Sequence, residues 1–178
     1  MGKEKRKGLI VVNTGHGKGK TTAALGTAFR AAGHGFHIIV IQFIKGSWKY
    51  GELEAAKKFD NLTITPMGTG FLKLGAAEPE AADCDLAEHI WQKCEEAIFS
   101  GAYDLVICDE VNYALAYKLL PVERVVATLK KKPAYLHVIL TGRDAPPEII
   151  ELADLVTEMK EIKHPYQEGI TAQRGIEF

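Results

Sequence analysis

Hydrophobic positions along this chain fall into two rhythms. Short apolar runs occupy Leu9 to Val12, Ile38 to Ile44, Leu105 to Cys108 and Leu136 to Leu140, with weaker ones at Leu62 to Thr65 and Leu155 to Met159. Runs that do not alternate with polar residues predict strands of a parallel sheet covered on both faces. Between them the apolar residues recur at helical spacing. Ala24, Leu25, Ala28, Phe29 and Ala32 form one such set, with Gly33 and Gly35 as its stop. A longer helix is predicted from about Glu80 to Phe99, where Leu86, Ile90, Cys94, Ala97 and Ile98 share a face. A third begins at Pro121, a residue suited to a first helical turn, and continues through Val122, Val125, Val126 and Leu129. A fourth starts near Pro146 or Pro147 and carries Ile149, Ile150 and Leu152.

Strands alternating with helices predict a three-layer α/β domain with a mostly parallel central sheet. Two segments break the rhythm: Lys45 to Glu54, and Met67 to Pro79 with Gly68, Gly70 and Gly75. Both read as loops carrying aromatic residues and are candidates for ligand contact. The tail from His164 to Phe178 is polar and without clear period, so it is either a closing flap or an extended end.

Composition narrows the class. At 178 residues, 47% hydrophobic, the chain supports one sizeable core, so a single domain over 1–178 is expected, with 1–7 flexible and 164–178 extended. A formal net charge of −1 and a pI near 6.6 argue against a duplex nucleic acid bound through its phosphates. The basic runs Lys3 to Lys7 and Lys130 to Lys132 then read as a frayed terminus and a solvated helix end. Cys84, Cys94 and Cys108 have no metal-site spacing and read as free thiols of a reducing cytoplasm. Charged residues followed by a four-residue apolar run make neither a signal peptide nor a membrane span.

The chemistry concentrates where the first strand meets the first helix. Gly15, His16, Gly17, Lys18, Gly19, Lys20, Thr21 and Thr22 form a glycine-rich loop followed by Lys-Thr. In such a loop backbone N–H groups curve around a phosphate and the helix N-terminus adds partial positive charge. Lys20 would neutralise phosphate oxygens, and the Thr21 hydroxyl would reach a magnesium ion, with manganese as a substitute. The usual G-x-x-x-x-G-K-[ST] pattern places glycine where this chain has Thr14, so the loop is one residue shorter. Together with the strand and helix order, the loop predicts a P-loop NTPase fold of the RecA-like kind.

Downstream, the strand Leu105 to Cys108 ends in Asp109 and Glu110, carboxylates delivered to the edge where open α/β sheets bind ligands. They are either metal-holding groups beside the loop or a helix cap. Leu140-Thr141-Gly142-Arg143 ends another strand, so Arg143 either reaches a phosphate or pairs with Asp144 or Glu148. The six histidines share no metal-binding spacing, and only His16 falls in the loop. No Ser/His/Asp set and no G-x-S-x-G elbow is present, so binding and the second substrate must supply the reactivity.

Asn13 to Ala24, Arg30 to Gly35, and Gln42-Phe43-Ile44-Lys45-Gly46-Ser47-Trp48, taken in order, resemble the P-loop ATP:corrinoid adenosyltransferases. The resemblance continues through Met67 to Phe71, Cys108-Asp109-Glu110, Leu140 to Arg143 and Ala172 to Ile176, nearly the whole chain. It implies that a reduced Co(I) corrinoid attacks the 5′ carbon of ATP and expels the entire triphosphate. The metal centre is itself the nucleophile, which accounts for the missing base. The resemblance also implies that Gly15 to Thr22 hold the triphosphate and that Lys20 is its main charge partner. Thr21 and Glu110 would hold magnesium, supported by Asp109. Phe71 would pack near the lower face of the corrinoid and Trp48 is a contact or an anchor. Where the family has a second aromatic this chain has Lys73. The chain starts seven residues before Gly8, so any cover over the site is expected to be short or to come from elsewhere. A homodimer and an electron-donating reductase or flavoprotein are implied as partners.

Two other readings share the loop and the carboxylates. One is a phosphohydrolase or small-molecule kinase, with Glu110 orienting the acceptor and Arg143 stabilising the phosphoryl group. The other is a nucleotide-dependent corrinoid carrier that binds without reacting.

Overall fold

The computed structural model describes residues 6–46, 50–70 and 80–177. Strands β1 (Ile10–Thr14), β2 (Ile38–Gln42), β3 (Leu62–Pro66), β4 (Leu105–Asp109), β5 (His137–Thr141) and β6 (Leu155–Glu158) each fall on one of the apolar runs. They form one sheet in the order β3-β2-β4-β5-β1-β6, and every pairing is parallel. The strand that leads into the glycine loop and the strand that ends in Asp109 are thus separated by β5.

Within the runs, alternate residues serve opposite layers, as the pleat requires. Val12, Val106, Cys108, Val138 and Leu140 pack with α3 (Ala81–Phe99), α4 (Val111–Ala116), α5 (Val122–Lys131) and α6 (Pro147–Leu152). Val40, Leu105, Ile107 and Ile139 turn to the other face and meet α1 (Lys20–Gly33) through Ala24, Ala28 and Ala32. Small side chains let α1 lie close to the sheet, which fixes its N-terminus at the strand ends.

Several expectations are corrected. The run Ile38 to Ile44 is strand only as far as Gln42, and the Phe43 N–H makes the closing ladder bond to the carbonyl of Asp109 at 3.0 Å. The loop expected from Lys45 to Glu54 contains the start of α2 (Gly51–Ala56), and α4 follows β4 directly. Pro121 stands outside α5 as an extended cap. Phe29 leaves the core face of α1, 65% exposed, and makes an edge-on contact with Phe59. Trp91, absent from the expected face of α3, is fully buried.

The opposite end of the sheet is closed by charge. Asp104, just before β4, accepts from Arg6 Nη2 at 2.7 Å and from the His37 N–H at 3.0 Å. Arg6 also donates to the Tyr135 carbonyl and lies 4.4 Å over the Phe36 ring. The basic run read as a frayed terminus therefore supplies an anchor at Arg6. Lys132 likewise donates to the carbonyls of Gly8 and Leu136 rather than projecting into solvent.

Candidate functional site

The loop between β1 and α1 is shaped by its packing. Gly15 has φ 92°, and a Cβ there would lie 2.5 Å from the Met159 carbonyl oxygen, so the close approach of the segment after β6 requires glycine. Gly19 caps α1 at φ 108°. Thr14, standing where the common pattern has glycine, ends β1 and ties the loop to its neighbours. Its Oγ1 accepts from the Ala145 N–H at 3.1 Å and its carbonyl accepts from Met159 at 2.8 Å. Lys20 Nζ curls into the loop and donates to the carbonyls of Gly15 at 2.8 Å and Gly17 at 2.7 Å. Burial lowers its pKa, and the neighbouring positive charge of Arg143 lowers it further.

Asp109 sits at the end of β4 with no exposure. Its Oδ1 accepts from the Thr21 hydroxyl at 2.9 Å and the Thr141 hydroxyl at 2.6 Å, and its Oδ2 accepts from Gln42 Nε2 at 3.1 Å. The neighbouring strands β2 and β5 and helix α1 thus each contribute one neutral donor to this carboxylate. Thr141 Oγ1 also accepts from the Glu110 N–H at 2.8 Å. Glu110 takes a left-handed backbone, φ 66°, uncommon for a side chain with a Cβ and found where surrounding structure enforces it. That turn separates the two carboxylates: Asp109 faces the network, while Glu110 lines a cavity of about 460 Å³. Burial pushes the Glu110 carboxyl up to about 7, the Asp109 carboxylate adds to the rise, and Lys45 and Lys20 oppose it.

The cavity gathers Lys18, Gly19, Lys20, Thr21, Thr22, Glu110 and Arg143 from the expected set. Gly15 and Gly17 shape the loop behind it, holding the Lys20 ammonium by their carbonyls. His16 turns outward, 3.3 Å from an Asp144 carboxylate oxygen. Arg143 lines the cavity, and among the described residues no ion pair joins it to Asp144 or Glu148. Trp48, Phe71 and Lys73 lie outside the described residues.

Lys45, Glu52, Tyr113 and Glu177 also line the cavity, though none of them was named as a site residue in advance. Lys45 follows β2 at the same sheet edge and pairs with Glu52 of α2; the strand end at Gln42 was its available signal. Tyr113 lies three positions after Glu110 on α4, and Glu177 enters from the tail to pair with Lys18.

The donor set suits a hard divalent cation. Thr21 and Asp109 oxygens converge within 2.9 Å, Glu110 is beside them, and the buried Gln42 Oε1 has no partner among the described residues. No group of three or more His, Cys, Asp and Glu side chains clusters as a metal cage among the described residues. Magnesium sites that use one or two carboxylates with substrate phosphates need no such cage.

Comparison with known proteins gives this geometry a context. A corrinoid adenosyltransferase of Sinorhizobium sp is 46% identical over 99% of this chain and 83% of its own length. Corrinoid adenosyltransferases of Escherichia coli strain K12 and Salmonella typhimurium are 41% and 39% identical, over 97% and 98% of this chain and 86% and 88% of theirs. The flagellar accessory protein FlaH of Methanocaldococcus jannaschii shares the fold alone, with a TM-score of 0.54 at 14% identity over 86% of this chain and 71% of that one. The family model of the ATP:corrinoid adenosyltransferases BtuR/CobO/CobP matches residues 6–178, and this chain belongs to that family.

Proposed function

We propose that the cavity at the ends of β1, β4 and β5 binds ATP and that the protein transfers its 5′-deoxyadenosyl group to the Co(I) of a reduced corrinoid. Inorganic triphosphate is the second product. The carrying observation is the meeting of Thr21 and Asp109 at 2.9 Å under a rim that holds Lys18, Lys20, Lys45 and Arg143. That rim is built to receive and stabilise a departing polyanion. The reaction needs no proton removed from its nucleophile, so the protein's tasks are alignment of the 5′ carbon and charge stabilisation.

In this reading the loop from Gly15 to Thr22 holds the triphosphate and Lys20 leaves the Gly15 and Gly17 carbonyls for its oxygens. Thr21 and Glu110 hold magnesium, with Asp109 orienting Thr21. The ion would supply positive charge to the leaving triphosphate. Three free cysteines support a reducing cytoplasmic setting, and the exposed apolar edge of β6, Leu155 at 51% and Val156 at 37%, supports a homodimer. No helix among the described residues is long and apolar enough to cross a membrane. The Co(I) state requires an electron donor, for which a reductase or flavoprotein is the expected partner.

Product analysis tests the reading. Incubated without oxygen under strong reduction with ATP, magnesium and a corrinoid, the protein should yield inorganic triphosphate and a light-sensitive alkylated corrinoid. ADP with orthophosphate would replace this reading with hydrolysis or phosphoryl transfer, and tight binding without turnover would make the protein a carrier.

A further inference from the structure

Two cations of the cavity rim are already paired with carboxylates. Lys45 is paired with Glu52, and Lys18 of the phosphate loop is paired with Glu177. Glu177 comes from the far end of the chain, 159 residues away, and its side chain is only 19% exposed while that of Lys18 is 50% exposed. A turn aims it there: the N–H groups of Ile176 and Glu177 both donate to the Gln173 carbonyl, at 3.2 and 2.9 Å. Gly175 supports the turn at φ 83°.

The rest of the tail is loosely attached. From Lys160 to Glu177 no residue is buried, and Ile176, in the cavity lining, is 80% exposed. A segment with so little apolar packing opens at small cost, so its polar contacts decide where it lies. The contact on Lys18 is a carboxylate placed on a cation of the phosphate-binding loop. A triphosphate on that loop brings several negative charges beside Glu177, and like charges at that separation repel.

We propose that the C-terminal turn is a carboxylate latch: Glu177 holds Lys18 in the nucleotide-free protein, is displaced when triphosphate takes the loop, and returns to Lys18 as triphosphate leaves. The latch keeps the loop from retaining its polyanionic product. It rests on the reading of Gly15 to Thr22 as the triphosphate site.

The test uses the full chain and sodium tripolyphosphate, with no corrinoid. By calorimetric titration Glu177→Gln should bind tripolyphosphate about fivefold more tightly than the parent, the span of a well-placed exposed ion pair. The gain should vanish when Lys18→Ala is also present, which a general loosening of the tail would not produce. Tripolyphosphate should also speed tryptic cleavage after Arg174. Equal or weaker binding by Glu177→Gln, or protection of Arg174 by the ligand, would overturn the latch while leaving the triphosphate site in place. Failure of both the parent and Glu177→Gln to bind tripolyphosphate would overturn the latch and the triphosphate site together. Because no corrinoid is used, an absence of adenosyl transfer would not affect either outcome.

Discussion

Two buried aspartates stand at opposite ends of β4, and the protein treats them differently. Asp104 precedes the strand, is 4% exposed, and is neutralised by a resident cation, Arg6. Asp109 ends the strand, is wholly buried, and is met by two hydroxyls and an amide, none of them charged. A buried carboxylate given its own cation is finished; it ties elements together and has little to offer a ligand. One held by neutral donors keeps its charge for use. The difference separates the stabilising end of the sheet from the working end without reference to any ligand.

The comparison breaks most visibly at Asp104. Asp104→Asn leaves the Arg6 guanidinium buried without its counter-charge and should cost about 3–5 kcal/mol of stability. For a domain of this size that lowers the melting temperature by about 10 °C, read by calorimetry. Adenosyl transfer per folded molecule should be unchanged. Asp109→Asn should do the reverse: a melting temperature near the parent's and a rate of transfer lower by about a hundredfold, the scale of losing metal-supported charge stabilisation. Equal damage to both properties in both variants would show that the two ends are not specialised.

Thr141→Val probes the boundary between the roles. It removes a donor from Asp109 and leaves the buried Glu110 N–H without its acceptor, a loss of about 1–3 kcal/mol. Stability and transfer should both fall, because Thr141 both anchors the network and sets the turn that aims Glu110. The smallest effect belongs to His137 at the Asp104 end. Its Nδ1 accepts from the Leu9 N–H at 3.1 Å, which requires the neutral ring. Burial, with help from Arg6 and Lys132, lowers its pKa below the ordinary 6.5. The unfolded chain then binds the proton more readily, so this contribution is present above about pH 6.5 and is lost as the pH falls below it. Thermal melts of His137→Gln should lack that acid-side loss, a change within about 1 kcal/mol.

Much of the working end was legible because its signals are local. The six strands are apolar runs, Lys20 and Thr21 follow their glycines directly, and Asp109 and Glu110 end an uninterrupted run. What stayed hidden depends on distant partners. Helices α2 and α4 have six residues each, too few to hold a helix without tertiary contacts, and unlike the equally short α6 they have no proline to mark a first turn. Arg6 reads as one of several terminal cations until Asp104 is beside it. Glu177 in a polar tail gives no sign of reaching Lys18. The left-handed turn at Glu110 is likewise set by Thr141 and the Asp109 network, since nothing in Asp-Glu-Val favours it.

The placement of β5 between β1 and β4 has a consequence for synthesis. The glycine loop emerges from the ribosome early, and Asp109 follows about ninety residues later, but the two strands that carry them cannot become neighbours of β5 until His137 to Thr141 has been made. Of the three donors to Asp109 the last to be made is Thr141, the final residue of β5. A nascent chain therefore carries an unformed nucleotide site through most of translation, and competence to bind arrives late, after β5 has closed the gap in the sheet and the segment following β6 has reached the loop.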